Sequence, residues 1–103
     1  MKNILFTLAL LVSFSSCEQT AKEYHERGMD KAAKSDYSGA IADYTKAIEL
    51  DPDDADAYVN RGNAKDDLED YSGAIADYTK AIELYPDYAD AYVNRGLAKD
   101  NLE

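Results

Sequence analysis

Residues 36–50 read DYSGAIADYTKAIEL, and residues 70–84 read DYSGAIADYTKAIEL again, 34 positions later. Within each copy the apolar residues share one side of a helix. In the first, Ala40, Ile41, Tyr44, Ala47 and Ile48 stand at i, i+1, i+4, i+7 and i+8, the spacing of a single apolar stripe. Working outward, residues 55–69 (ADAYVNRGNAKDDLE) return as 89–103 (ADAYVNRGLAKDNLE) at the same offset. The repeating units are therefore 21–54 and 55–88, followed by a half unit, 89–103.

The punctuation between stripes is equally regular. Asp51 precedes Pro52, and a residue before proline avoids helical angles, so a helix must stop there. Asp53 and Asp54 follow as side-chain caps for the next helix. Asp-Tyr-Ser-Gly at 36–39 supplies a tight turn inside the unit. Gly28 and Ala40 are small enough for paired helices to approach closely. These signals predict five helices, over 21–34, 38–50, 55–68, 72–84 and 89–102. They stack as antiparallel hairpins in an all-α chain, each burying its stripe against the next.

The 34-residue period and its landmarks resemble the tetratricopeptide repeat family. The matching residues are Tyr24, Tyr58 and Tyr92; Gly28, Gly62 and Gly96; Ala40 and Ala74; Tyr44 and Tyr78; Ala47 and Ala81; Pro52 and Pro86. The resemblance covers residues 21–103 and implies a short right-handed α-solenoid of two full repeats and a half. Two positions depart from the family pattern. Arg27, Arg61 and Arg95 stand before the glycine, where leucine is usual. Lys31, Lys65 and Lys99 stand three residues after it, where tyrosine is usual. Such side chains lay aliphatic stems on a core and keep their charge in water. Arg61 is expected to reach Asp43 or Asp77 on an adjoining helix. Three arrangements stay open for the last helix: a cap, the start of further repeats, or an end-to-end dimer contact.

The first twenty residues are of another kind. Lys2 leads into a largely apolar run from Ile4 to Val12, then Ser13, Phe14, Ser15, Ser16 and Cys17. A charged start, a short apolar stretch and a small-residue exit make the plan of a secretory signal, too short for the roughly 20 apolar residues that span a bilayer. Cys17 is the only cysteine, so no internal disulfide is available to it. The segment resembles the lipobox of bacterial lipoproteins, with Phe14 where leucine is usual. That resemblance implies removal of residues 1–16, a lipid on Cys17, and a tether over 17–20. It places the protein on a membrane of the bacterial cell envelope, facing the periplasm or the exterior.

The formal net charge is −10. Nucleic-acid binders are basic, so no nucleic-acid partner is expected. Both phenylalanines precede Cys17, and the nine tyrosines are the only aromatics after it. Their spacing assigns most of them to hairpin packing, and Tyr85 and Tyr88 are expected to pack on the last helix. His25 is the single histidine, and Ser35, Ser38 and Ser72 lie in turns, so no nucleophile–base pair is assembled. His25 reads as a surface residue. The acidic run 51–56 lacks what a helix–loop–helix calcium site requires. Such a site needs glycine sixth and glutamate twelfth, and those places hold Asp56 and Gly62. No phosphate loop, zinc spacing or dinucleotide fingerprint is present. The chain is expected to be no enzyme and to need no metal and no cofactor.

The family resemblance implies that the first helix of each hairpin lines a concave groove holding a partner segment. In the first unit the groove positions hold Lys22, His25, Glu26, Met29 and Ala33. In the second they hold Asp56, Val59, Asn60, Asn63, Asp66 and Asp67, and in the half unit Asp90, Val93, Asn94, Leu97, Asp100 and Asn101. Asparagine amides bond an extended peptide backbone, and the acidic balance favours a neutral or basic segment. One subgroup of the family grips a peptide's terminal carboxylate with lysines, an arginine and asparagines. Asn60 matches that clamp; His25, Met29, Asp90 and Asn94 do not. The expectation is a protein–protein adaptor tethered to the envelope membrane. The alternative is a self-associating structural module, a homodimer, or the opening of a longer array without a peptide ligand.

Overall fold

The computed structural model describes residues 20–103; the signal segment and Cys17 lie outside the described residues. Five helices follow one another: α1 over 20–33, α2 Tyr37–Leu50, α3 Ala55–Asp67, α4 Tyr71–Leu84 and α5 Ala89–Leu102. There is no strand among the described residues. α3 packs on α2, α4 and α5, and α4 packs on α5, the succession of a stacked hairpin array.

The core is made of small residues around two large rings. Ala40, Ala57, Ala74, Ala81, Ala91 and Ala98 are buried, and Tyr44 and Tyr78 are the largest fully buried side chains. Each ring lies against a glycine of the opposing helix. A Cβ added at Gly28 would stand 2.6 Å from Tyr44 Cε1, and one at Gly62 would stand 2.8 Å from Tyr78 Cε1. A methyl at either position would have to push the ring aside. Truncating such a buried ring to alanine costs about 3–5 kcal/mol, a large share of what a short array has.

The turns within the hairpins differ from the expectation. Asp36 is the N-cap of α2, its Oδ1 accepting the Gly39 N–H at 3.0 Å, and Asp70 caps α4 through Gly73 in the same way. Residues 37–39 therefore already form the first helical turn. The chain reverses one step earlier. The Asp36 N–H donates to the Lys31 carbonyl at 2.8 Å and the Ser35 N–H to Ala32 at 2.9 Å, which closes α1 in a Schellman motif. Ser35 takes φ 63° there and Glu69 takes φ 64° in the equivalent turn. Left-handed angles are costly for residues with a Cβ. Neither residue belongs to the glycine and asparagine set usual at that place, and the sequence signal for the turn was correspondingly faint.

Between hairpins, Asp51 adopts an extended φ of −140° before Pro52 and ends α2. Asp54 alone caps α3, accepting the N–H groups of Asp56 at 3.0 Å and Ala57 at 3.3 Å. Asp53 does not take part in that cap. Tyr88 stands where Asp54 does and gives α5 no side-chain cap.

Candidate functional site

The odd-numbered helices α1, α3 and α5 present a common face, and its polar side chains are already joined across the helices. His25 of α1 is half-buried. Its Nδ1 lies 3.2 Å from Asp54 Oδ2, and Asn60 Nδ2 lies 2.8 Å from its Nε2. The ring thus sits between the Asp54 carboxylate and the Asn60 amide. The ring also meets Tyr44 edge-on at 5.6 Å. His25 is thus not a plain surface histidine: it ties α1 to α3.

A second junction ties α3 to α5 and α4. Asn63 Oδ1 accepts the Tyr78 hydroxyl at 2.7 Å and Asn94 Nδ2 at 3.1 Å. Burial, then the charges of Asp66 and Asp67, raises the Tyr78 hydroxyl pKa well above the usual range, so it stays a donor. The asparagines expected to meet a peptide are half-engaged in holding the face together. Asn60 Oδ1, Asn63 Nδ2 and Asn94 Oδ1 keep no partner among the described residues.

The remaining groove residues divide by exposure. Val59 is 4% exposed and belongs to the core, so it offers no groove surface; α5 has covered it. Val93, its repeat equivalent, is 60% exposed, and Leu97 on the same helix and Met29 on α1 are exposed too. Asp67 and Asp90 are exposed. Asp66 is half-buried, and its Oδ1 is a buried atom without a hydrogen-bond partner. Burial, then the neighbouring Asp67 charge, raises its pKa. An acceptor in that condition favours a donor brought by a partner.

At the amino-terminal ends of α3 and α5 the structure shows a feature outside the expected set. A cleft of about 440 Å³ is walled by Asp53, Asp54, Asp56, Asp87 and Asp90 with the rings of Tyr85 and Tyr88. The two rings meet edge-on at 5.7 Å, and the Tyr88 hydroxyl donates to Asp56. Burial, followed by that bond, raises the Tyr88 pKa. Tyr88 packs on the cluster that holds Ala91 and Ala98 of α5; Tyr85, also expected on the last helix, is instead 51% exposed and lines the cleft. The acids were legible only as turn and cap residues; the cleft arises because two turns 34 residues apart come side by side. Among the described residues, no group of three or more His, Cys, Asp or Glu side chains is arranged to hold a metal ion.

A different set of contacts joins the hairpins from within. Arg61 Nε and Nη2 donate to Asp77 Oδ2 at 2.9 Å and Oδ1 at 2.7 Å, and Nη1 reaches Thr45 Oγ1 at 3.2 Å. Of the two aspartates expected, Asp77 is the partner and Asp43 is not. Lys65 adds a contact to Asp77 at 3.0 Å. The hydrogen bond to Asp77 is the main cause that raises the Arg61 pKa further. Asp43 takes Lys31 at 2.8 Å and Arg27 only at 3.9 Å.

Comparison with known proteins agrees with this architecture. A family model described as "TPR repeat" matches residues 21–65, and one described as "Tetratricopeptide repeat" matches residues 55–88. The TPR2B domain of yeast Sti1, solved as a pHsp70 complex, superposes with a TM-score of 0.80. It is 36% identical over 82% of this chain and 67% of that one. The second TPR of Spaghetti (RPAP3), bound to the HSP90 peptide SRMEEVD, has a TM-score of 0.80 and 33% identity, covering 82% of this chain and 79% of that one. The Arabidopsis OM64 TPR domain has a TM-score of 0.82 and 29% identity, covering 84% of this chain and 71% of that one. No curated protein matches the chain.

Proposed function

The chain belongs to the tetratricopeptide repeat family, and from that premise we propose that it is a protein-interaction scaffold whose α1–α3–α5 face holds an extended segment of a neutral or basic partner. The observation that carries the reading is the composition of that face. Apolar Val93 and Leu97 stand open beside amide groups with spare hydrogen-bonding capacity and beside the carboxylates of Asp66, Asp67 and Asp90. Solved relatives carry peptides, one of them the acidic SRMEEVD. This face lacks the cations for such a peptide: α3 and α5 place Asp56, Asn60, Asn63, Asp90 and Asn94 along it and no lysine or arginine. The cleft at the start of α3 and α5 extends the same negative potential, which steers cationic segments and repels acidic ones.

Tethering belongs to the same proposal and rests on the sequence alone. The signal plan of residues 1–16 and the lone Cys17 support a lipid-anchored protein of a bacterial envelope membrane. No helix among the described residues is long and apolar enough to cross a membrane. The fatty-acid label expected on the wild-type chain should vanish in Cys17→Ser.

The groove reading is tested with extended peptides graded in charge, probed with the full chain at two salt concentrations. Binding should climb from acidic to basic sequences and weaken with salt. Leu97→Asp should reduce it. Equal binding of SRMEEVD and basic peptides would remove the charge argument, and indifference to Leu97→Asp would remove the groove.

A further inference from the structure

Asn60 and Asn94 stand at one position of the repeat, and each turns its amide toward a side chain of the preceding groove helix. Asn94 Nδ2 donates to Asn63 Oδ1 at 3.1 Å. Asn60 Nδ2 lies 2.8 Å from His25 Nε2. The two partners differ in kind. Asn63 Oδ1 has no proton to gain or lose, and the Tyr78 hydroxyl that shares it is kept protonated by burial. His25 is the chain's single histidine, and histidine is the side chain whose charge changes between about pH 5 and 8. Its other nitrogen, Nδ1, lies 3.2 Å from Asp54 Oδ2. Asp54 already acts as an acceptor, because its Oδ1 takes the N–H groups of Asp56 and Ala57 at the start of α3.

We propose that His25 is a positioning residue that sets which end of the Asn60 amide faces a bound segment, and that protonation of the ring reverses that end. The Asp54 carboxylate holds a proton on Nδ1 in both charge states of the ring, since an ionised carboxylate only accepts. Nε2 is then the nitrogen that titrates. Unprotonated, it accepts from the Asn60 NH2, and Oδ1 of that amide is left for the groove. Protonated, it is a donor, and two donors cannot share the contact. The amide turns over about its last side-chain torsion, which exchanges oxygen for nitrogen with almost no change of shape. Oδ1 then accepts from Nε2–H, and Nδ2 faces the groove. A partner's backbone N–H loses its acceptor there, and a positive charge appears beside the segment. Both changes oppose a neutral or basic segment, so binding weakens as pH falls. The ionisable groups around the ring are Asp54 from the turn before α3 and the Tyr44 hydroxyl of α2, whose pKa burial raises. One turn away along the helices stand Asp56, before Asn60 on α3, and Lys22, before His25 on α1. The effect on binding rests on the reading of the α1–α3–α5 face as a peptide groove; the reversal of the amide does not.

The test follows the 15N,13C-labelled full chain by NMR from about pH 8 to about pH 5. While the ring is neutral, the Asn60 NH2 protons should show strong NOEs to the two ring protons flanking Nε2, and the ring nitrogens should report a proton on Nδ1. As the ring titrates, those NOEs should fade in step with it, while the Asn94 NH2 keeps its contact with Asn63. A blocked peptide of alternating lysine and serine, which has no group titrating in this range, should bind about fivefold more weakly at the acid end. His25→Gln, polar but unable to titrate, should remove the pH step whatever its own affinity. A neutral ring with its proton on Nε2, NOEs that persist through the titration, or a ring that keeps one charge state across the range would each overturn the proposal. So would a peptide affinity that falls equally in wild type and in His25→Gln. No binding of the peptide at either pH would overturn the groove reading instead, and the NOEs then decide for or against the reversal.

Discussion

Helices α2 and α4 are identical in sequence from the capping aspartate to the last leucine, yet the two carboxylates they bury are held differently. Asp77 receives both arms of Arg61, whose side chain is 17% exposed; Asp43 sees Arg27 at 3.9 Å, with that side chain 59% exposed. The difference lies in what stands beside the arginine. Arg61 is pinned on its far side by Thr45 of the preceding hairpin, whereas among the described residues Arg27 has the Tyr24 ring beneath it and no such hydroxyl. Identical sequence thus fixes the backbone and the cap, while the neighbouring repeat decides whether an ion pair is buried and bidentate or solvated and loose. A repeat array strengthens from within because each hairpin completes the contacts of the one before.

The sharpest break in that comparison is to remove the arginine from each junction. Arg61→Ala should cost about 2 kcal/mol in urea unfolding, because it strands a buried carboxylate with only Lys65 to offset it. Arg27→Ala should cost within about 0.5 kcal/mol, as exposed pairs do. Double-mutant cycles should show clear coupling for Arg61 with Asp77 and near-additivity for Arg27 with Asp43.

Glycines at one repeat position should likewise change sign with their neighbours. Gly62→Ala pushes a methyl into the Tyr78 ring, which its bond to Asn63 keeps in place, and should destabilise by about 1–2 kcal/mol. Gly96→Ala faces open space and should stabilise by about 0.5–1 kcal/mol through helix propensity alone. Thermal melts of the two variants suffice.

Smaller effects come from the turn and the groove. Glu69→Gly should stabilise by about 0.5–1 kcal/mol, since it relieves a left-handed residue at φ 64°. Asp66 has a raised pKa in the folded chain, so the folded state holds that proton more tightly than the unfolded state. The stability it contributes is full below the unfolded pKa and is lost as pH rises through the raised value. Asp66→Asn should therefore gain stability at pH 7 and none at pH 3, which chemical denaturation at the two pH values would record.

Much of the fold was legible because the repeat states it twice. The stripe of Ala40, Tyr44 and Ala47, the stop at Asp51-Pro52 and the caps at Asp54 needed only local rules, and the five helices lie within one residue of their expected ends. What escaped were features made by tertiary neighbours. The Schellman turns use Ser35 and Glu69, which carry no turn signature. Val59 and Val93 share a repeat position, but α5 covers the first and nothing described covers the second. His25 looked like a lone surface histidine because Asp54 and Asn60, its partners, are 29 and 35 residues away. The asparagines were expected in the groove by resemblance alone, and their bonds across the helices depend on the spacing of α1, α3 and α5.

The central claim, that the α1–α3–α5 face is where a partner protein binds, is tested most directly by site-specific photocrosslinking in cells. A photoreactive residue at Leu97 in the full-length chain is compared with one at Lys46, which is exposed on α2. The account predicts a discrete heavier adduct with another protein from Leu97 only, competed by a basic peptide added to membranes. Adducts of equal strength from both positions, or a doubled mass alone, would contradict it.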